Sequence, residues 1–410
     1  MADMHPQSAI QDPDLMKLHR HLCASTLDIA KSVLVNHKVL DHELAAAFEQ
    51  NPKWGKRDRS FVAESLFEAT RWRRALAFLV DSEETNSILT AQWLLMGYEL
   101  PEWHSYKGRP ADEILARKDR LADQPRAIRQ SIPDWLDQVG HAELGNLWEP
   151  QLIALNQKPS VFLRVNTLIT TRENAQAWLA EHHVETSTVP QHPDALALPP
   201  GKILPKSLRL DGRIEIQDPS SQFIAPLLDS QPGQRIIDAC SGAGGKALHL
   251  CALSNNEARI FAMDVDPKKL NALQSRAKHA RATAISPKLI SDNTAADFEN
   301  IADSLLIDSP CSGLGTLKRQ PDLKWRLKPA ALDRVRSIQA QLLAEYPKML
   351  KSGGKLLYAT CSILPSENQD QVTKFLKNHP DQFDLISQHN LLPSETGYDG
   401  FHATLLRKRS

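Results

Sequence analysis

From Gln231 to the C-terminus the chain alternates short apolar runs with loops and helical stretches, and this alternation restricts the fold more than any other feature. Arg235–Ala239, Arg259–Met263, Lys288–Ile290, Ser304–Ile307 and Lys355–Tyr358 read as strands. Helical segments lie between most of them, and the stretch 330–350 separates the last two. Parallel strands need such crossovers, so the pattern predicts an α/β, doubly wound, Rossmann-like sheet. Ligands bind these sheets beyond the C-terminal strand ends, so the informative residues are expected there.

The preceding half has a different texture. Between about residues 14 and 127 apolar positions recur at helical spacing: Leu27, Ala30 and Leu34, then Leu40, Leu44, Ala47 and Phe48, then a long run over 58–80. A turn-rich stretch, 101–110, interrupts it. Beyond Pro133, Val161–Val165 reads as a strand and Glu173–Glu181 as a helix. Prolines 190, 193, 199 and 200 mark loops around a further strand, Ala195–Leu198. Three domains follow: an all-α domain over 1–125, a small α+β domain over 126–216, and the doubly wound domain over 217–410. That division suits a chain of 410 residues.

Charge is balanced, with 49 basic and 49 acidic residues, which argues mildly against nucleic acid as a partner. Basic clusters nevertheless occur at Lys53, Lys56, Arg57 and Arg59, at Arg71, Arg73 and Arg74, and from Lys318 to Arg336. Each alone reads equally as a solvated helix face. No apolar run approaches the roughly 20 residues of a membrane span. The first thirteen residues are polar and acidic, unlike a targeting peptide, so a cytoplasmic, membrane-free and monomeric protein is expected. The five cysteines form no C-x-x-C pair, which indicates neither a metal site nor a disulfide framework. A cysteine that matters here should act as a thiolate.

The first strand of the alternating half runs into Asp238-Ala-Cys240-Ser241-Gly242-Ala243-Gly244-Gly245-Lys246. This loop matches neither the P-loop nor the G-x-G-x-x-G spacing, and a glycine-rich loop by itself can be a mere tight turn. The second strand, however, ends in Asp264-Val-Asp266, where a carboxylate suits a ribose diol. Loop and acid together point to a nucleoside-containing cofactor. Asp292, after the third strand, is a candidate for the adenine amino group, or a loop carboxylate capping nearby backbone.

Two further segments place a cysteine just past an apolar strand: Asp308-Ser-Pro-Cys311-Ser-Gly and Tyr358-Ala-Thr-Cys361-Ser-Ile-Leu-Pro-Ser-Glu-Asn368. A cysteine is ordinarily a small buried hydrophobe, and that reading serves for Cys23 and Cys251. Two at the strand ends of one cofactor-binding sheet are harder to dismiss. The loop from Cys240 to Lys246, the Asp308-Ser-Pro-Cys311-Ser-Gly block and Thr360-Cys361-Ser362 resemble the RNA cytosine-5 methyltransferases of the Sun/RsmB family. Phe162-Leu-Arg164-Val-Asn166, Gln217-Asp-Pro-Ser-Ser-Gln222 and Asp399-Gly-Phe401 are similar to further family segments. Asp58-Arg-Ser-Phe-Val-Ala-Glu64 with Arg71-Trp72 resembles the helical domain related to the NusB antitermination factor. The family usually has A-P-G-G-K, and here Gly242-Ala243 replaces the Ala-Pro pair, removing a fixed φ.

The resemblance implies a class I methyltransferase sheet that uses S-adenosylmethionine and methylates C5 of a cytosine in RNA, with small-subunit ribosomal RNA favoured over transfer RNA. It implies Cys361 as nucleophile and Cys311 as the thiol that assists product release, with Asp308 and Lys246 completing the catalytic set. Cys240 to Lys246, Asp264, Asp292 and Asp308 would bind the cofactor. The chemistry accounts for these residues. Cytosine C5 is too weak a nucleophile to attack a sulfonium methyl, and thiolate addition at C6 makes it enamine-like. The target base must leave any stack to be reached. A non-catalytic RNA-binding assembly factor on the same fold is the rival reading, disfavoured because Cys311, Cys361, Asp308 and Lys246 are all present. A small-molecule or protein methyltransferase is disfavoured by the paired cysteines and the accessory domains.

Overall fold

The structure is a computed structural model, which describes residues 17–202 and 204–410. The N-terminal stretch expected to be polar and untargeted lies outside those residues. The chain packs as two units: Met1–Gln157 with Leu317–Pro329, and Lys158–Thr316 with Ala330–Ser410.

The first unit is helical. Arg20–Leu34, Leu40–Gln50, Lys56–Arg71, Arg73–Val80 and Thr85–Leu95 bury one common core of Ala30, Val62, Leu66, Leu76, Ile88 and Trp93. The run of helical spacing over 58–80 is two helices that meet at Trp72, which caps both.

The returning segment Leu317–Pro329 is part of this unit, and it changes the meaning of two basic clusters. The helix Lys56–Arg71 ends with carbonyls that have no partner inside the helix. Trp325 Nε1 donates to Thr70 O at 2.7 Å and Lys324 Nζ to Arg71 O at 2.8 Å, while Arg71 Nη2 donates to Lys318 O at 3.0 Å. Burial, then the neighbouring Arg71, lower the Lys324 pKa well below its usual value, so its tie to this helix end is a hydrogen bond rather than a charge–dipole attraction. Arg74 is paired with Asp134 at 2.7 Å, and Arg73 lies over the Trp325 ring. The expectation of solvated or RNA-binding faces therefore fails for Arg71, Lys318 and Lys324, which are buried fasteners. Lys53, Lys56 and Arg57 remain exposed.

The second unit holds both sheets. The small sheet is antiparallel in the order β2-β3-β1-β4, from β1 (Phe162–Val165), β2 (Ser187–Val189), β3 (His192–Ala197) and β4 (Ile214–Ile216). The helix Arg172–Glu181 packs on it, its first turn closed by the Thr171 hydroxyl. Pro193, expected in a loop, lies within β3.

The large sheet contains β5 (Arg235–Asp238), β6 (Arg259–Asp264), β7 (Ile285–Leu289), β8 (Ala302–Asp308), β9 (Leu350–Thr360), β10 (Phe383–Leu391) and β11 (Phe401–Lys408), in the order β10-β11-β9-β8-β5-β6-β7. Strands β5 to β9 pair in parallel, and β11 and β10 continue the sheet antiparallel. This is the doubly wound, Rossmann-like sheet expected, carrying an antiparallel hairpin at one edge. Apolar side chains cover both faces, with Ile236, Ala262, Leu306 and Leu357 on one and Ile237, Phe261, Leu305 and Tyr358 on the other. From β5 the chain winds to β6 and β7 on one side, then to β8 and β9 on the other. The switch point therefore lies between Asp238 and Asp308, where such folds bind ligands.

Candidate active site

The loop after β5 is shaped by backbone needs. Gly244 has φ +88°, and a Cβ there would come within 2.6 Å of Leu273 Cγ, so the helix Gly245–Leu253 could not begin against its neighbour with a larger residue. Asp264, at the end of β6, accepts from Gly242 N with Oδ2 and from Asp266 N with Oδ1, both at 2.9 Å. A carboxylate has about four acceptor positions, so each oxygen keeps one for a further donor such as a ribose hydroxyl. Two arginines hold the other side of the loop. Arg276 donates to Ala243 O at 2.6 Å and Arg164 to Gly245 O at 2.7 Å. Arg276 also pairs with Glu215, and Arg164 bonds Gln217. Rigidity that a proline would give through φ is supplied here through the Ala243 carbonyl.

Acidic groups dominate this end. Burial pushes Asp238 up to about 7; Asp308 and Asp264 add to the shift, and Lys246 and the Cys240 N–H oppose it. Burial, then Asp238, Asp308 and Asp264, raise the half-buried Cys240 thiol well above its usual value, which keeps it neutral. The buried Ser241 hydroxyl has no partner among the described residues. An orphan hydroxyl and a ring of carboxylates beside a glycine loop fit a cationic, hydroxyl-bearing cofactor. Asp292 is exposed in the turn after β7, two residues past Ile290, whose N–H donates to Asp264 O at 3.0 Å.

Lys246, on the first turn of the helix, is buried with its Nζ 2.7 Å from Asp308 Oδ2 and 5.1 Å from the centre of the Phe401 ring. Burial works against its charge, but Asp308, Cys361 and Asp238 prevail and raise its pKa, so it is an ammonium. Beyond it lie the two thiols, with Cys311 Sγ 3.3 Å from Cys361 Sγ. The Cys361 hydrogen bond, burial and the Cys361 and Glu367 charges raise Cys311 well above a normal thiol. The close approach depends on Gly315, whose N–H donates to Cys361 O at 2.9 Å and whose Cα faces Gly400 O so closely that a Cβ would sit 2.0 Å from it. Cys23 and Cys251 are buried in the cores, as ordinary cysteines are.

The fold thus gathers Cys311, Cys361, Asp308 and Lys246, with the Cys240–Lys246 loop and Asp264 on its other side. Sequence reasoning overlooked Arg164, Arg276 and Glu367. Arg164 lies inside a segment that resembles the family and Glu367 a few residues past one, but a sequence does not show what a buried polar residue touches.

Comparison with known proteins bears on this arrangement. The family model of RsmB/F 16S rRNA methyltransferases matches residues 225–407, and that of the ferredoxin-like domain of RsmF/B-like methyltransferases matches 132–212. A probable ribosomal RNA small subunit methyltransferase B from Synechocystis is 32% identical over 345 residues, which cover 76% of this chain and 77% of that protein. The chain belongs to the RsmB/F methyltransferase family. Ribosomal RNA small subunit methyltransferase B of Proteus mirabilis is 33% identical, the match spanning 68% of this RsmB/F chain and 66% of the relative. The fold agrees with a solved methyltransferase homologue from Pyrococcus horikoshii, at TM-score 0.61 and 23% identity, over 70% of this chain and 99% of that one. NSun6 from the same organism superposes at TM-score 0.61 with 17% identity, over 68% of this chain and 99% of that one.

Proposed function

We propose that this RsmB/F family member transfers a methyl group from S-adenosylmethionine to C5 of a cytosine in RNA through a covalent bond between Cys361 and C6. The observation that carries this reading is the 3.3 Å thiol pair set against the Lys246–Asp308 ion pair. A methyltransferase that needed no covalent step would have no use for two thiols at the mouth of its sheet.

The residues divide the work. Cys361 attacks as a thiolate, with the Cys311 thiol in hydrogen-bond contact with its sulfur and the Lys246–Asp308 pair close by. Cys361 adds to C6, while Asp308 hydrogen-bonds the base edge and balances charge on the ring. Asp264 would hold the cofactor ribose, and the Cys240–Lys246 loop would take the rest of the molecule, which supplies the methyl group. Once a base has taken the C5 proton, the C5–C6 double bond reforms, the C6–S bond breaks and Cys361 leaves as a thiolate. Cys311 then stabilises it again through the same S–H, which is why release depends on the second cysteine. The substrate proposed is small-subunit ribosomal RNA, as in the names of the relatives, with the exposed Lys53, Lys56 and Arg57 of the helical unit contacting phosphates.

Methyl transfer from labelled cofactor to bulk RNA tests the activity, and bisulfite sequencing of RNA from a deletion strain locates the base. Loss of one cytosine signal in small-subunit ribosomal RNA is expected. Loss in transfer RNA would reassign the substrate, and no transfer to any RNA would favour a non-catalytic assembly role.

A further inference from the structure

The two cysteines sit on different loops, and a single side chain ties both loops together. Glu367, fully buried, follows the Cys361 loop by a few residues. Its Oε1 accepts from Ser312 Oγ and from Ser362 Oγ, each at 2.5 Å. Its Oε2 accepts from Ser312 N at 2.7 Å and from Gln339 Nε2 at 3.2 Å. Ser312 and Ser362 are the residues that immediately follow Cys311 and Cys361. Four donors occupy the four acceptor positions of one carboxylate. The surrounding contacts repeat the arrangement. Tyr358 OH donates to Glu367 O at 2.7 Å, Asn368 Nδ2 to Ser362 O at 3.0 Å, and Gln339 Nε2 also to Pro310 O at 3.0 Å.

We propose that Glu367 is a positioning residue whose carboxylate sets the separation of the two thiols, and with it the balance between capture and release of the RNA base. The second half of this statement rests on the covalent reading above; the first does not. The buried charge has a further consequence. It stands behind Cys311 and so disfavours a negative charge on that thiol.

Oxidation by diamide reads the separation directly, because a disulfide closes quickly when the two sulfurs are already nearly in contact. Glu367→Ala should close the Cys311–Cys361 disulfide at least about tenfold more slowly than the wild type. Its kcat for methyl transfer should fall roughly 10–100-fold, with KM for RNA and cofactor affinity unchanged, the signature of misplaced reacting groups. Glu367→Gln separates position from charge. Its amide can accept at the Oε2 site and donate to both serine hydroxyls, so disulfide closure should stay near the wild-type rate. The pH–rate profile should move to lower pH, because Cys311 loses the negative charge behind it. Ser312→Ala with Ser362→Ala cuts the same two ties with less risk of unfolding, and should reproduce Glu367→Ala if that variant does not fold. Wild-type closure and wild-type kcat in both the alanine variant and the double serine variant would overturn the proposal. Should the wild-type protein methylate no RNA, the covalent reading falls, and the diamide comparison still decides the positioning.

Discussion

Glu367 and Asp238 are both fully buried carboxylates in one catalytic unit, and the fold treats them in opposite ways. Glu367 is saturated by four hydrogen bonds from neutral donors. Asp238 has the Cys240 N–H nearby but no hydrogen bond of good geometry to either oxygen, and it faces two further aspartates. A buried charge without partners costs free energy that a saturated one recovers. The difference separates a saturated carboxylate from an unsatisfied one. The thiol end is organised before anything binds, whereas the glycine-loop end carries negative charge that a sulfonium cofactor would relieve.

The largest effects should fall at the thiol end. Cys361→Ala is expected to abolish methylation and any covalent complex while leaving cofactor affinity unchanged, since its partners lie on the other side of Lys246. Cys311→Ala should transfer the methyl but stall before elimination, because the departing sulfur has lost its S–H partner. Enzyme should then stay attached to RNA through Cys361 and run as a slow band on a denaturing gel, and the double substitution should lose that band. A trapped adduct in Cys361→Ala instead would reverse the roles. No adduct in either variant, with methylation intact in both, would sink the covalent mechanism.

Asp238→Asn probes the unsaturated carboxylate through stability. A carboxyl whose folded pKa is raised loses stability as pH climbs from its unfolded value to its folded one, here from 3.8 to about 7. Asparagine carries no such cost. The variant should be more stable than wild type by on the order of 2–4 kcal/mol above pH 7, with the advantage vanishing near pH 4. Urea unfolding without cofactor at the two pH values measures it. An advantage that is equal at both would mean that ionisation of Asp238 is not the source.

Asp264→Ala should cost cofactor binding about 1.5–3 kcal/mol, the worth of hydrogen bonds to a charged acceptor. Part of that loss would come through Gly242, whose N–H loses its acceptor and lets the loop relax. RNA affinity should hardly change. Calorimetry that finds cofactor affinity unaltered would remove Asp264 from the site.

The sequence made the large sheet legible because parallel strands buried on both faces leave long apolar runs at regular spacing, and Ile236, Phe261, Leu305 and Leu356 all lie where those runs predict. The hairpin partner β10 was missed: Phe383 is buried, but Leu385 and Ile386 are exposed, so the stretch carries no apolar run or clean alternation. At the site, Cys311 and Cys361 stood out because each follows an apolar strand, and the family resemblance implied roles for them and for Lys246 and Asp308. Glu367 could not, since its role depends on one serine 55 residues away along the chain and on another only five residues away. Basic residues were the least legible. Arg71 and Lys53 look alike in composition, and whether a cation meets solvent or a helix terminus is decided by the returning segment Leu317–Pro329, which no local pattern announces.

That difference among the cations gives the smallest effect. Lys53, Lys56 and Arg57 are exposed, whereas Arg71 and Lys324 close the end of the helix Lys56–Arg71. Replacing the three exposed residues by alanine should weaken RNA binding a few-fold and lower the slope of log affinity against log salt by about 1 per cation lost. Melting temperature and cofactor affinity should not move. Arg71→Gln should do the reverse, lowering stability through the buried contacts while leaving the salt slope nearly intact. Deleting the whole helical unit would confuse the two, because Leu317–Pro329 packs with that unit and is continuous in the chain with the Cys311 loop. Loss of activity after such a deletion would say little about RNA. A triple variant that binds RNA like the wild type at every salt concentration would reduce Lys53, Lys56 and Arg57 to solvated surface.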